Sequence, residues 1–175
     1  NKTKAGFYKK EKTPEMKTLR KVIDPTTGEY VDLVKGTFPC LDAAKAAKTL
    51  PEKLQAVLYA DDKGAQFAWK VTAGAFIYAA NRIPEISDTV VEIDNAMKWG
   101  YNWELGPFES WDAIGLEKSV AKMKADGMKV PEKIEKMLAN GAKSFYKTEK
   151  GKKKYYDFAS ESYKPVRKSD TAIEL

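Results

Sequence analysis

The carboxylates Asp94, Glu104, Glu109 and Asp112 gather in one short, aromatic-rich stretch of the chain. Two carboxylates whose pKa values are driven apart can act as general acid and general base, the pairing that cleaves glycosidic bonds. The same residues at helix ends have a plainer use. There a carboxylate accepts hydrogen bonds from backbone N–H groups that have no partner within the helix. Asp112 lies just past an expected helix start, and Asp94 and Lys98 stand at the i, i+4 spacing of a helical ion pair. Structural roles are therefore expected for these side chains.

Other chemistries find even less to work with. The 175 residues include no histidine, the commonest general base near neutral pH and the commonest metal ligand. With Cys40 as the one cysteine, a metal site is not expected. Nothing near Cys40 in sequence would lower its pKa as a nucleophile requires, so it reads as an inert small side chain. A lone cysteine forms no intrachain disulfide and fits a reducing cytoplasm. A dinucleotide site would show Gly-x-Gly-x-x-Gly after a strand, and the sequence has no such run. No catalytic, cofactor-binding or metal-binding residue is expected in this chain.

The formal charge is +6, with lysines dense over 2–21 and 143–154. Basic clusters can bind nucleic acid, which makes a stand-alone module binding a protein or nucleic-acid partner the alternative reading. The lysines alternate with glutamates, however, as on a solvated surface. The longest apolar run, 71–80, is about half of what a bilayer crossing needs. The first residues are polar and charged, unlike a signal peptide, and the missing initiator Met suggests a piece of something longer.

The carboxylates need elements to hold them. The stretch 99–115 carries Trp99, Tyr101, Trp103, Phe108 and Trp111, punctuated by Gly100, Gly106, Pro107 and Gly115. Buried aromatics dominate core energetics, so this reads as a packed corner between two helices. Gly100 suits the left-handed residue that closes the first helix; Pro107 suits the first position of the second. Trp99 and Trp111 are expected in the core, which leaves Asn102, Trp103 and Phe108 as candidates for a cleft or contact surface.

Upstream, apolar runs flank Asp24-Pro25-Thr26-Thr27-Gly28, which predicts a β-hairpin over 16–34. Helices are expected over 41–48, 51–59 and 63–82, the last behind the N-cap candidates Asp61 and Asp62. That longest helix is apolar nearly all round, as suits an enclosed position. Its Ala68, Thr72, Ala75 and Ala79 offer a small-residue face for a close neighbour. Ser87 is expected to cap a helix over 88–99, and further helices follow over 116–125 and from Pro131 to Gly141. A second hairpin turns at Lys150-Gly151-Lys152. The sum is an all-helical bundle with short β-hairpins near both ends.

Ile93-Asp94-Asn95-Ala96-Met97-Lys98-Trp99-Gly100, then Gly106-Pro107-Phe108 and Trp111-Asp112-Ala113-Ile114-Gly115, resemble the C-terminal domain of 3-hydroxyacyl-CoA dehydrogenases. The match is to the bacterial kind that pairs the dehydrogenase with an enoyl-CoA hydratase, and it extends more loosely over most of the chain. The resemblance implies a helical bundle of that type. It also implies a parent that oxidises 3-hydroxyacyl-CoA to 3-oxoacyl-CoA with NAD in fatty-acid β-oxidation. In that family the nucleotide and a catalytic His–Glu pair belong to an N-terminal Rossmann domain. An active helical copy adds an Asn from a Gly-Phe-x-x-Asn-Arg-type motif. The corresponding run here, Ala65-Gln66-Phe67-Ala68-Trp69-Lys70, places Trp69 at the Asn position, and an indole cannot accept the hydrogen bonds an amide can.

The resemblance therefore implies a catalytically silent copy, inactive alone and holding no cofactor. Its work would be completing the acyl-binding cleft, packing between repeats and oligomerisation, with Trp69 a further cleft or interface candidate. The implied partners are acyl-CoA through the parent, the Rossmann domain, the preceding helical repeat and a homodimer mate; nucleic acid and membrane are not among them.

The chain ends as it begins. Phe145-Tyr146-Lys147-Thr148-Glu149-Lys150 echoes Phe7-Tyr8-Lys9-Lys10-Glu11-Lys12, each just ahead of a predicted hairpin. In the resembled family the helical domain often occurs twice, and a Gly-Phe-Tyr signature closes the first copy. The implied layout is the tail of one copy with its hairpin over 1–40, a second helical copy with closing hairpin over 41–160, and a polar tail or linker over 161–175.

Overall fold

The computed structural model describes residues 6–166. The chain divides into two compact units, Asn1–Thr37 and Phe38–Leu175.

The first unit holds strands β1 (Tyr8–Lys12), β2 (Thr18–Ile23) and β3 (Tyr30–Asp32), joined as an antiparallel sheet in the order β1-β2-β3. The hairpin expected over 16–34 is present as β2 and β3, and β1 adds a third strand. Between β2 and β3 the Asp24 carboxylate accepts the Thr26 N–H at 2.7 Å, and Gly28 takes φ 74° to turn the chain.

The second unit is mostly helical. Helices α1 (Pro39–Ala46), α2 (Leu50–Leu58) and α3 (Lys63–Asn81) come first. Thr49 and Glu52 form a reciprocal capping box on α2, and the Asp62 carboxylate accepts the Ala65 N–H at 3.0 Å to cap α3. Helices α4 (Val90–Tyr101), α5 (Pro107–Ile114), α6 (Leu116–Ala125) and α7 (Glu132–Ala139) follow. Strands β4 (Tyr146–Glu149), β5 (Lys152–Asp157) and β6 (Ser162–Pro165) then make a second antiparallel sheet. β6 lies within the stretch read as a polar tail; the rest of that stretch, 167–175, lies outside the described residues.

Helix α1 lies two residues earlier than the expected 41–48, and both boundaries of α4 differ from expectation. Thr89 rather than Ser87 caps α4, its hydroxyl accepting the Val91 N–H at 3.2 Å while the Ser87 hydroxyl donates to the Thr89 carbonyl. Gly100 stays inside α4, and Asn102 takes the left-handed position with φ 56°. Asparagine tolerates that conformation because its short polar side chain can bond locally.

The core of this unit runs through Trp69, Phe76, Phe108, Trp111, Met123, Ile134, Met137 and Phe145. Trp111 stacks on Phe76 with ring centroids 5.1 Å apart, and Phe145 meets Phe108 edge-on at 4.9 Å. The Trp111 indole N–H donates to the Ser119 hydroxyl at 2.6 Å, which donates in turn to the Leu116 carbonyl. A buried indole thus keeps its polar end satisfied.

The aromatic corner does not pack as one piece. Trp111 is buried as expected, but Trp99 is 80% exposed and Tyr101 72% exposed. Helix geometry gives the reason. The inward stripe of α4 is Val90, Ile93, Asp94 and Met97, and Trp99 sits roughly 200° round the helix from Met97. Helix α3 is likewise not enclosed on all sides. Ala65, Trp69, Ala73, Phe76 and Ala80 are buried, whereas Phe67, Val71, Ala75 and Tyr78 on the other side are exposed. Of the expected small-residue face, Ala79 is buried, Ala68 and Thr72 are half-buried and Ala75 is exposed, while the alanines with no exposed area are Ala65, Ala73 and Ala80.

Candidate functional site

Asp94, wholly buried on α4, is the centre of the carboxylate group. Its Oδ1 accepts the Phe108 N–H at 2.8 Å, and its Oδ2 accepts the Glu109 N–H at 3.2 Å and the Tyr146 hydroxyl at 2.7 Å. Two of these donors are first-turn amides of α5, whose N-cap residue, Gly106, has no side chain of its own. A carboxylate from α4 thus caps α5 from outside the helix. It can do so because the backbones nearly touch: a Cβ on Gly106 would lie 2.4 Å from the Asp94 Cα. Only glycine allows that approach.

Asp112, on α5, reaches the other way. Its two oxygens accept the N–H groups of Phe145 and Tyr146, each at 2.8 Å, and so fasten the start of β4. Glu109 accepts the Gly106 N–H at 3.2 Å and pairs with Lys98 at 2.9 Å and Lys153 at 2.8 Å. The expected Asp94–Lys98 pair is not formed, because Asp94 turns into the core and Lys98 crosses to Glu109 instead. Glu104 is exposed.

The environments push these groups apart. Burial drives Asp94 up to about 6, opposed by its Tyr146 and Phe108 hydrogen bonds. Burial drives Asp112 up to about 7, opposed by its two backbone bonds and reinforced by the Asp94 charge. Burial works against ionisation of Glu109 as well, but Lys153 and Lys98 hold it below the usual carboxylate range. Tyr146 is raised by burial and by the Asp94 charge. Divergent carboxylates are what acid–base catalysis needs, yet every oxygen of Asp94 and Asp112 already holds a protein donor. The arrangement fastens α4, α5 and β4 together, in line with the structural expectation.

The four cleft or interface candidates fall in different places. Trp69 is 4% exposed, and its indole N–H donates to the Asp126 carboxylate at 2.6 Å. The Lys122 ammonium lies 5.1 Å from its ring centroid. Phe108, expected on a surface, is fully buried, because Pro107 leads it into the first turn of α5 beneath Asp94 and against Phe145. Asn102 and Trp103 are exposed, as are Trp99 and Tyr101 near the same end of α4. Beside it a cleft of about 970 Å³ runs between the Val91–Asn95–Trp99 side of α4 and Tyr155 and Pro165 of the second sheet.

Sequence reasoning missed two exposed features: Trp99, and the Phe67–Val71–Tyr78 stripe on α3. The signal for the stripe was present, since these residues share one helical face opposite Trp69, Ala73 and Phe76. Cys40 is buried; its thiol donates to Asp62 at 3.3 Å, and burial pushes its pKa up. Among the described residues no His, Cys, Asp and Glu group is arranged to hold a metal ion, and no helix is long and apolar enough to cross a membrane.

Comparison with known proteins adds a second line. The chain is 42% identical over 170 residues, 97% of its length, to a Bacillus subtilis protein described as a 3-hydroxyacyl-CoA dehydrogenase. It is 32% identical over 101 and 109 residues to proteins of Rickettsia felis and Rickettsia prowazekii described as fatty acid oxidation complex trifunctional enzymes. It spans 21% of the first relative's length, and the aligned parts are 13% and 14% of the other two. No family model matches the chain, and no solved structure matches it. The likeness carried by residues 93–115 therefore extends over nearly the whole chain, which resembles the C-terminal part of a 3-hydroxyacyl-CoA dehydrogenase.

Proposed function

We propose that this chain is a helical C-terminal segment of a 3-hydroxyacyl-CoA dehydrogenase of fatty-acid β-oxidation. The parent oxidises 3-hydroxyacyl-CoA to 3-oxoacyl-CoA by hydride transfer to NAD, in the cytoplasm. The observation that carries the reading is 42% identity sustained across 97% of the chain. The helical unit is then a bundle of that dehydrogenase's C-terminal type.

The segment contributes shape rather than reacting groups. Among the described residues both sheets are antiparallel and no glycine-rich turn leads from a strand into a helix, so these residues do not fit a nicotinamide dinucleotide. No step of hydride transfer is assigned to them. Trp69 uses its one donor on Asp126, and Asp94 and Asp112 are occupied by backbone amides and Tyr146. Apolar side chains left open for contact in the helical unit include Phe67, Val71 and Tyr78 on one face of α3, and Trp99, Tyr101 and Trp103 about the end of α4. These suit packing against the preceding repeat or a second copy, and walling an acyl cleft, since an apolar tail needs apolar lining.

Assaying the parent and the 175-residue chain side by side with NADH and acetoacetyl-CoA tests this. Turnover by the parent and none by the chain is expected; turnover by the chain alone would overturn the assignment of chemistry to the rest of the parent. Nucleic-acid affinity should be negligible at physiological salt, because lysines of both sheets are paired with glutamates, Lys9 and Lys21 on Glu11 and Lys147 and Lys154 on Glu149.

A further inference from the structure

The two sheets match in far more than the hexapeptide echo. In the first, the Tyr30 hydroxyl donates to the Gly6 carbonyl at 2.5 Å; in the second, the Tyr163 hydroxyl donates to the Ser144 carbonyl at 2.5 Å. Gly6 and Ser144 each stand immediately before the Phe-Tyr pair. The Ile23 N–H donates to the Phe7 carbonyl at 3.0 Å, and the Tyr156 N–H to the Phe145 carbonyl at 2.7 Å. Lys9 faces Lys21 across the strands with both ammonium groups on Glu11, and Lys147 faces Lys154 with both on Glu149. The Lys9 ammonium lies over the Tyr30 ring at 5.7 Å, and that of Lys147 over Tyr163 at 3.9 Å. The second turns agree too. Asp24 and Asp157 each accept a backbone N–H within the turn, and each turn reaches a positive φ two residues before its tyrosine, at Gly28 and at Glu161.

One thing differs. The second sheet is seated: Phe145 is fully buried against Phe108 and Trp111, Asp112 takes the Phe145 and Tyr146 N–H groups, and Asp94 takes the Tyr146 hydroxyl. Their counterparts in the first sheet, Phe7 and Tyr8, are 80% and 58% exposed. A phenylalanine in the same place of the same sheet meets solvent where its twin meets a socket.

We propose that the Phe7–Tyr8 end of the first sheet seats on a further helical body built like α4–α7. In it one carboxylate accepts the Phe7 and Tyr8 N–H groups, a second accepts the Tyr8 hydroxyl, and aromatic rings enclose Phe7. This rests on the reading of the chain as one segment of a repeat-containing parent and names the chemistry of that neighbour. A second copy of this chain does not serve, because its own Phe145 fills the socket.

Hydrogen exchange read residue by residue, on the full-length parent and on the 175-residue chain, is the test. In the parent the Phe7 and Tyr8 amides should be as protected as those of Phe145 and Tyr146. In the chain alone the first pair should exchange ~100-fold faster or more, since seating suppresses local opening. Phe7→Ala should lower the parent's Tm and leave that of the chain unchanged, whereas Phe145→Ala should lower both. Fast exchange at Phe7 and Tyr8 in the parent would overturn the proposal, as would protection in the isolated chain that grows with concentration. A parent that protects both amides but cannot oxidise 3-hydroxyacyl-CoA would sink the dehydrogenase reading and leave this one standing.

Discussion

At Gly106 and Asp94 two backbones pass so closely that a methyl group has no room. Gly106→Ala is expected to destabilise the chain by about 1–3 kcal/mol, as overpacking does, measured as a lower urea midpoint with unchanged m. Asp94 and Asp112 also predict a pH dependence. Both carry pKa values raised above those of the unfolded chain, to about 6 and about 7. The folded state therefore holds protons more tightly, and the stability these groups contribute is fully present below the ordinary carboxylate range. It is lost as pH rises through about 6 to 7. Groups shifted downward, such as Glu149, which Lys147 and Lys154 hold at about 2, act in a more acidic window. Urea melts from about pH 5 to about pH 8 should show stability falling, and Asp112→Asn should flatten that slope. A wild-type curve that rises over the same range would contradict the assignment.

Among elements, α3 makes the sharpest claim. Its buried face carries Ala73, with no exposed area, and its open face carries Val71, 57% exposed. Ala73→Leu should cost about 1–3 kcal/mol by overpacking, and Val71→Asp should leave the isolated chain within about 0.5 kcal/mol. Thermal melts of the two variants would expose any error in which face points inward. β4 depends on α5 in the same manner. Phe145→Ala removes a ring enclosed by Phe108, Trp111 and Phe158 and is expected to cost about 3–5 kcal/mol.

For the molecule as a whole, the two units are joined through residues 33–37, all exposed. Brief trypsin treatment should cut after Lys35 early, because exposed connections are nicked before ordered elements. Mass spectrometry of the first products would check this. The larger expectation belongs to the proposal for the parent: the chain, which spans 21% of the related Bacillus subtilis protein, should provide packed form, and the parent's redox activity should persist only where the rest of the parent is present.

Much of this was legible in the residues. Helix boundaries are local events, so Asp62, Pro107 and the run Leu116–Ala125 announced themselves through capping chemistry and apolar spacing. The likeness of residues 93–115 to a dehydrogenase domain rested on order and spacing, which the chain carries openly. Which aromatics would be enclosed was another matter. Trp99 and Phe108 exchanged their expected places because burial depends on which face of α4 meets α5, and that is settled by the close Asp94–Gly106 contact between one helix and the start of the next. The match between the two sheets was equally hidden. Six residues echo in the sequence, but the tyrosine, lysine and aspartate contacts that repeat with them come from strands whose spacing differs. Only cross-strand pairing brings those groups together.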